Sequence, residues 1–253
     1  MISLLLVASL SISAEPPTPT TLPVPNVAEV TAKLDDLYRA DSSHARLSMH
    51  IKTEHYERSL TVEAWSRGDN HALFVIRSPA REAGTATLRN PEGIWSYLPR
   101  ADRLVRIPSG MLSESWMGSH FTNDDLVREN SYQSDYETVA AWLLEGRTRY
   151  LELTMTPRDD AAVIYTRMRF LLAAESWLPI RAEYYDGSEL IRTTHFRDVK
   201  TLSGRRLPTV LEVIPADSPE ESTRITYEAL TLDQPIESNL FTPRGLRRSA
   251  HRR

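Results

Sequence analysis

Residues 84–127 read GTATLRNPEGIWSYLPRADRLVRIPSGMLSESWMGSHFTNDDLV. The first half has the look of short strands at 85–88, 93–98 and 103–107. The turn composition Asn90-Pro91-Glu92-Gly93 joins the first two. At Pro108 the strand pattern stops. Met111, Leu112, Trp116, Met117 and Phe121 then crowd together around Gly110 and Gly118. Thr122 with Asp125 three residues later matches the N-cap and third position of a helix start, and Asp124 and Asp125 suit its positive end. A β-sheet interrupted by one greasy, glycine-flanked segment is the expectation from which the rest of the chain is read.

Outward from this stretch the period stays at two. Leu47, Met49 and Ile51 alternate with Arg46, Ser48, His50 and Lys52. Leu60, Val62 and Ala64 alternate with Thr61 and Glu63. That is the pattern of strands with one buried and one wetted face. Residues 72–77 are more continuously apolar. Further strands are expected at 149–155, 163–170, 180–185, 189–197, 207–213 and 223–230, and 136–144 reads as a short helix or a strand. Turn compositions at 67–70, 185–188 and 202–205 punctuate these runs. No βαβ alternation is present, so a mainly β chain with an antiparallel sheet is predicted. No internal repeat or linker divides 26–243, which reads as one domain.

The ends are different. Residues 2–14, ISLLLVASLSISA, are too short to span a bilayer and match the apolar core of a secretory signal, cleaved near Ala14, although no Lys or Arg precedes the run. Residues 15–25 carry five prolines and read as an extended tether. Residues 26–40 then read as an amphipathic helix capped by Asn26, with Val27, Val30, Leu34, Leu37 and Tyr38 on one face. The basic stretch 244–253, RGLRRSAHRR, reads as a solvated tail. The chain lacks cysteine, which excludes a lipidated N-terminal Cys, Cys-based metal sites and Cys nucleophiles. A net charge of -4 argues against general nucleic-acid binding.

Catalytic signatures are missing from the sequence. There is no Gly-x-Ser-x-Gly, phosphate loop or His-Glu-x-x-His, and the seven histidines form no ligand pattern. The pairs Asp35-Asp36, Asp124-Asp125 and Asp159-Asp160 are adjacent, so their side chains do not face each other on a helix or strand. No enzyme activity, cofactor or metal is expected. The Met/Trp segment either closes over a pocket as a lid or plugs the sheet, and methionine suits variable apolar shapes in both roles.

Several blocks resemble a known family: the N-terminal helix, Gly93-Ile94-Trp95-Ser96-Tyr97-Leu98-Pro99, Met117-Gly118-Ser119-His120-Phe121-Thr122-Asn123-Asp124-Asp125-Leu126, Leu178-Pro179 before Glu183-Tyr184-Tyr185-Asp186, and Phe241. Over 26–243 the chain resembles the LolA-like outer-membrane lipoprotein-sorting proteins. His120 stands where that branch commonly has Asp. The resemblance implies a curved antiparallel half-barrel with helices over its concave face, enclosing an apolar space for acyl chains. It also implies a periplasmic, non-enzymatic, monomeric carrier of lipid or lipoprotein acyl chains. An accessory to an inner-membrane export transporter is the second reading, and a hydrolase with a polar constellation inside the cavity the third. On this view Leu47, Met49, Ile51, Leu60, Val62, Phe74 and Trp95 face the cavity, and Met111, Leu112, Trp116 and Met117 close over them. Alternation fixes parity within each strand but not which face is concave.

Overall fold

The alternation that starts at Ser42 becomes β1 (Ser42–Lys52), paired antiparallel with β2 (Glu57–Arg67). Ala45, Leu47, Met49 and Ile51 are buried on one face, with Leu60, Val62 and Ala64 beside them, while Arg46 and Lys52 are exposed. The computed structural model describes residues 23–68, 70–127, 132–159, 161 and 163–251. The expected signal, most of the tether and Asp160 lie outside these residues.

The other strands are β3 (His71–Ser78), β4 (Ala86–Asn90), β5 (Gly93–Leu98), β6 (Arg103–Ile107), β7 (Tyr136–Glu145), β8 (Thr148–Pro157), β9 (Arg167–Ala173), β10 (Pro179–Asp186), β11 (Glu189–Leu202), β12 (Arg205–Pro215) and β13 (Ser222–Leu232). They form one antiparallel, unclosed sheet in the order β6-β5-β4-β3-β2-β1-β13-β12-β11-β10-β9-β8-β7. Register shifts at Arg46/Leu47, Thr61/Val62, Tyr184/Tyr185 and Pro179/Arg181 place bulges along it. Bulges bend and twist strands, which suits a strongly curved sheet.

This order has one consequence for the connections. Consecutive strands are neighbours everywhere except between β6 and β7, which are the two opposite edges. The chain between them must therefore cross the whole sheet. That crossing is the segment 108–135, of which the described residues, 108–127 and 132–135, lie over the concave face as a strap. It contains two single turns of 3-10 helix, Ser109–Met111 and Trp116–Gly118, then α2 (Asn123–Val127) and α3 (Tyr132–Asp135).

The N-terminal helix α1 (Val27–Asp35) covers the same face. Asn26 Oδ1 accepts from the Ala28 N–H at 3.0 Å, as the capping pattern predicts, and Val30 and Leu34 are buried. They pack on Leu151, Leu153, Met155, Met168, Phe170 and Ala182. The helix stops five residues short of the predicted span. Leu37 and Tyr38 are still held inward, because Tyr38 stacks on Tyr227 at 4.8 Å and donates to the Pro208 carbonyl at 2.8 Å.

Of the two readings of residues 136–144 the strand is the one formed: β7 is an edge strand that pairs with β8 along its whole length. One expectation is corrected. The basic tail is not a loose end. Pro243–Ala250 form α4, capped by Thr242 Oγ1, which accepts from Gly245 N–H at 3.0 Å. Its few apolar residues explain this. Leu246 and Ala250, with Phe241, are buried against Leu73, Val75, Leu88 and Tyr97 on the outer face of the sheet, leaving the arginines to point outward.

Candidate ligand cavity

Between the concave face, α1 and the strap lie two adjoining chambers of about 220 Å3 each. The first, against β1–β3 and β13, is mostly apolar: Ala45, Leu47, Met49, Val62, Ala64, Phe74, Trp116 and Ile225 line it. The second, against β9–β11, is more polar. Its walls include Tyr132, Tyr136, Tyr165, Tyr184, Arg192, Asp35, Asp124 and Asp125, with Leu34, Met168, Phe170 and Phe196. Tyr38, Arg39, Phe121, Asp125 and Leu211 border both chambers and form the partition.

The register explains why these side chains meet. Ala45, Ala64, Phe74 and Thr87 are successive partners across β1–β4, and Met49, Ile225, Leu211 and Phe196 across β1, β13, β12 and β11. Direct partners share a face, and Ala45 and Met49 share one on β1, so two rows of residues run across the concave surface. Leu47, Met49, Val62, Phe74 and Trp116 border the apolar chamber. Ile51 and Leu60 are buried in the same cluster without bordering it, and Met117 packs on that cluster at the surface. Trp95 lies on the other face. It pairs with Leu88, which pairs with Leu73, and this row packs under the outer-face helix. Met111 is half exposed and, like Leu112, lines neither chamber, because the first 3-10 turn sits at the rim.

Trp116 is 5% exposed, meets Phe74 edge-on at 6.3 Å and donates its indole N–H to Thr87 Oγ1 at 3.0 Å. Gly118 follows at φ +66°. Its carbonyl accepts from the Tyr56 hydroxyl, and a Cβ there would lie 2.6 Å from that oxygen. Thr122 and Asp125 form the predicted reciprocal cap: Thr122 Oγ1 accepts from Asp125 N–H at 3.1 Å, and Asp125 Oδ2 accepts from Thr122 N–H at 2.7 Å.

The same carboxylate takes a bidentate ion pair from Arg192 of β11, at 2.6 and 2.5 Å. Arg192 is 5% exposed, also donates to the His120 carbonyl at 3.0 Å, and lies over the rings of Tyr165 and Tyr184 at 5.0 and 4.4 Å. Burial alone would raise the Asp125 pKa, but the Arg192 charge and these hydrogen bonds hold it below its ordinary value. Burial raises the phenol pKa values of Tyr38, Tyr132, Tyr165 and Tyr184 and pushes that of Tyr227 up to about 12, so all five keep their protons at neutral pH.

His120 lies in a chain of contacts with the order of a relay: Glu221 Oε2 to Nε2 at 2.9 Å, and Nδ1 to Thr223 Oγ1 at 2.9 Å. It is not built for attack on a substrate. Thr223 is fully buried, its oxygen also accepts the His120 backbone N–H at 3.0 Å, and neither residue lines a chamber. Its effect is to tie the strap to β13. Among the described residues no group of three or more His, Asp or Glu is placed to hold a metal ion.

Of the residues named for the cavity from the sequence, Leu47, Met49, Val62, Phe74 and Trp116 border the apolar chamber, while Ala45, Ala64 and Ala72 of the same walls are not among those named. The sequence reading misses the partition and the tyrosine-lined chamber. Arg192, Thr194 and Phe196 do alternate visibly in β11, but only the β1–β13 pairing puts them on the face of Leu47.

Residues 68–248 match the model of a protein family described as "uncharacterized protein". No curated protein matches the chain. Among solved structures, an outer membrane lipoprotein-sorting protein domain from Vibrio parahaemolyticus is 23% identical, with a TM-score of 0.74, covering 87% of this chain and 97% of that one. A DUF1329 family protein from Desulfovibrio piger is 20% identical, with a TM-score of 0.77 and the same coverages, 87% and 97%. A LolA superfamily protein from Nitrosomonas europaea is 22% identical, with a TM-score of 0.72, covering 85% and 96%. At these identities the likeness concerns the fold.

Proposed function

From a chain that belongs to the family matched over residues 68–248 and is LolA-like in fold, we propose a non-enzymatic carrier that shields an acyl chain from water. The observation that carries this reading is the apolar chamber beneath the strap, walled by Leu47, Met49, Val62, Phe74 and Trp116. Burying each methylene of a bound chain contributes about 0.8 kcal/mol, so affinity needs no covalent chemistry. The cargo is a lipid or the acyl end of a lipoprotein. Its place of action is the periplasm, supported by the apolar run at 2–14 and by the description of the Vibrio protein. No helix among the described residues is long and apolar enough to cross a membrane.

Ala45→Phe tests this directly. Ala45 is a small wall residue of the apolar chamber, so the larger ring fills the space a chain would occupy. A fluorescent fatty-acid probe should bind the wild-type protein and bind the folded variant at least about tenfold more weakly, the equivalent of excluding two buried methylenes. Equal binding by the two proteins, with equal melting behaviour, counts against the carrier reading. N-terminal sequencing of exported protein should begin near Glu15, and retention of Met1 on cytoplasmic protein would defeat the location.

A further inference from the structure

The acyl-carrier reading accounts for one chamber and leaves the other unexplained. A store for hydrocarbon alone has no use for tyrosine hydroxyls and buried charges, which are costly to keep out of water. Yet Tyr132, Tyr165 and Tyr184 border the second chamber beside Arg192. The hydroxyls of Tyr132 and Tyr165 enter no hydrogen bond with another described residue. They are not among the side-chain atoms sealed from solvent without a partner. They are therefore open to the chamber with their hydrogen-bonding capacity unused. Each chamber alone is smaller than the ~300–1,000 Å3 usual for a small-molecule site, and only the adjoining pair reaches that range.

The charges narrow the choice of ligand. Arg39 and Arg192 stand against Asp35, Asp124 and Asp125 in the lining, and Arg192 and Asp125 are already paired. No surplus of positive charge remains for an anionic head. A cationic head would normally use the faces of the tyrosines, but the Arg192 guanidinium already occupies those of Tyr165 and Tyr184. Asp35 accepts from Tyr132 N–H at 2.9 Å, and Asp35 and Asp124 each have further partners, so the groups left open are neutral hydroxyls able both to donate and to accept.

We propose that the tyrosine-lined chamber recognises the uncharged, oxygen-rich head of an amphiphile whose chain lies in the apolar chamber, a glyceryl ester in chemical class. This rests on the acyl-carrier reading above. The same glyceryl-ester chemistry is offered by a free acylglycerol and by the lipid end of a lipoprotein.

Displacement of the fluorescent fatty-acid probe by ligands of one chain length tests it: a monoacylglycerol, the free fatty acid and the lysophosphatidylcholine. The monoacylglycerol should displace the probe about tenfold better than either charged ligand, the worth of one or two ordinary hydrogen bonds. That preference should vanish in a Tyr132→Phe/Tyr165→Phe double variant, which keeps both rings and is checked for unchanged melting. A soluble diacylglyceryl lipopeptide in the same assay separates the two sources, since tighter binding than the monoacylglycerol assigns the lipoprotein end and weaker binding the free lipid. Equal affinity for all heads, a preference for a charged head, or a preference that survives in the double variant overturns the proposal while leaving the acyl carrier standing. Failure of every acyl ligand to bind overturns both.

Discussion

Arg192 and Asp125 are 67 positions apart and meet as a buried, bidentate pair on the concave face. Asp125→Asn leaves the guanidinium with a weakened partner, and loss of one member of a buried pair costs roughly 3–5 kcal/mol. Urea unfolding of this variant should show a loss of that order. The pH dependence follows from the depressed pKa of Asp125, whose ordinary value is 3.8. A carboxyl with a lowered folded-state pKa stabilises the fold fully above its unfolded value. It loses that contribution as pH falls through the folded one. The stability gap between wild type and Asp125→Asn should therefore be constant above about pH 5 and shrink below pH 3.8. His120 makes a second prediction. Asp at this position would set a carboxylate against Glu221, so His120→Asp should lower the melting temperature at neutral pH. Acid should narrow the difference as the carboxylates protonate. Of this network the sequence displays only the local part. The Thr122–Asp125 cap is readable because both partners lie within one turn. The Arg192 contact is not, because it depends on a strand pairing that no local pattern encodes.

Among the elements, β-strands were the most legible. Alternation in Leu47, Met49 and Ile51 identified one face of β1 correctly because that strand is buried on one side only. Alternation vanishes where both faces are covered. Leu73, Val75, Ala72 and Ile76 in β3 are all buried, since the strap covers one face and α4 the other. Parity then carries no label, and Trp95, two strands away, lies on the outer face and not on the concave one expected from the sequence. The helix α4 escapes sequence reading for a related reason: arginine is its commonest residue, and four small or apolar residues, Gly245, Leu246, Ser249 and Ala250, suffice to dock it. Gly245 shows how tight that docking is. A Cβ there would lie 2.0 Å from the Asn239 carbonyl oxygen and 2.6 Å from that of Leu240, both backbone atoms that cannot swing aside. Gly245→Ala should therefore destabilise the protein by about 1–3 kcal/mol, the usual range for overpacking. Protease sensitivity should appear at the C-terminal end first. Unchanged stability and resistance would show that α4 is not held as closely as its geometry implies.

For the whole molecule, the sheet divides at the β1–β13 seam into two halves, and each chamber belongs mainly to one of them. The strap crosses that seam. On one side it is fixed by Trp116 to Thr87 and by Gly118 to Tyr56. On the other it is fixed by His120 to Thr223 and Asp125 to Arg192. Between these anchors it is bonded to itself: Trp116 N–H donates to the Phe121 carbonyl at 2.8 Å, Asn123 N–H to that of Glu114 at 2.9 Å and Asp124 N–H to that of Leu112 at 2.9 Å. Such a hook moves as one body, not as a frayed loop. On the proposed carrier reading a ligand beneath it would leave when the hook lifts, and the anchors would govern release more than capture. Asp125→Asn removes an anchor while keeping the size and shape of the side chain at the partition and leaving the apolar walls Leu47, Met49, Val62, Phe74 and Trp116 unchanged. The variant should release a bound acyl probe about tenfold faster in stopped-flow displacement, with little change in association rate, as is usual for local changes at a binding site. Hydrogen exchange should rise together across 112–125, and by more than the rise that lower global stability brings to the amides of β11 and β13. If release is unchanged and exchange rises only at 125 and its immediate neighbours, the hook is not a cooperative unit, and the cavity opens elsewhere.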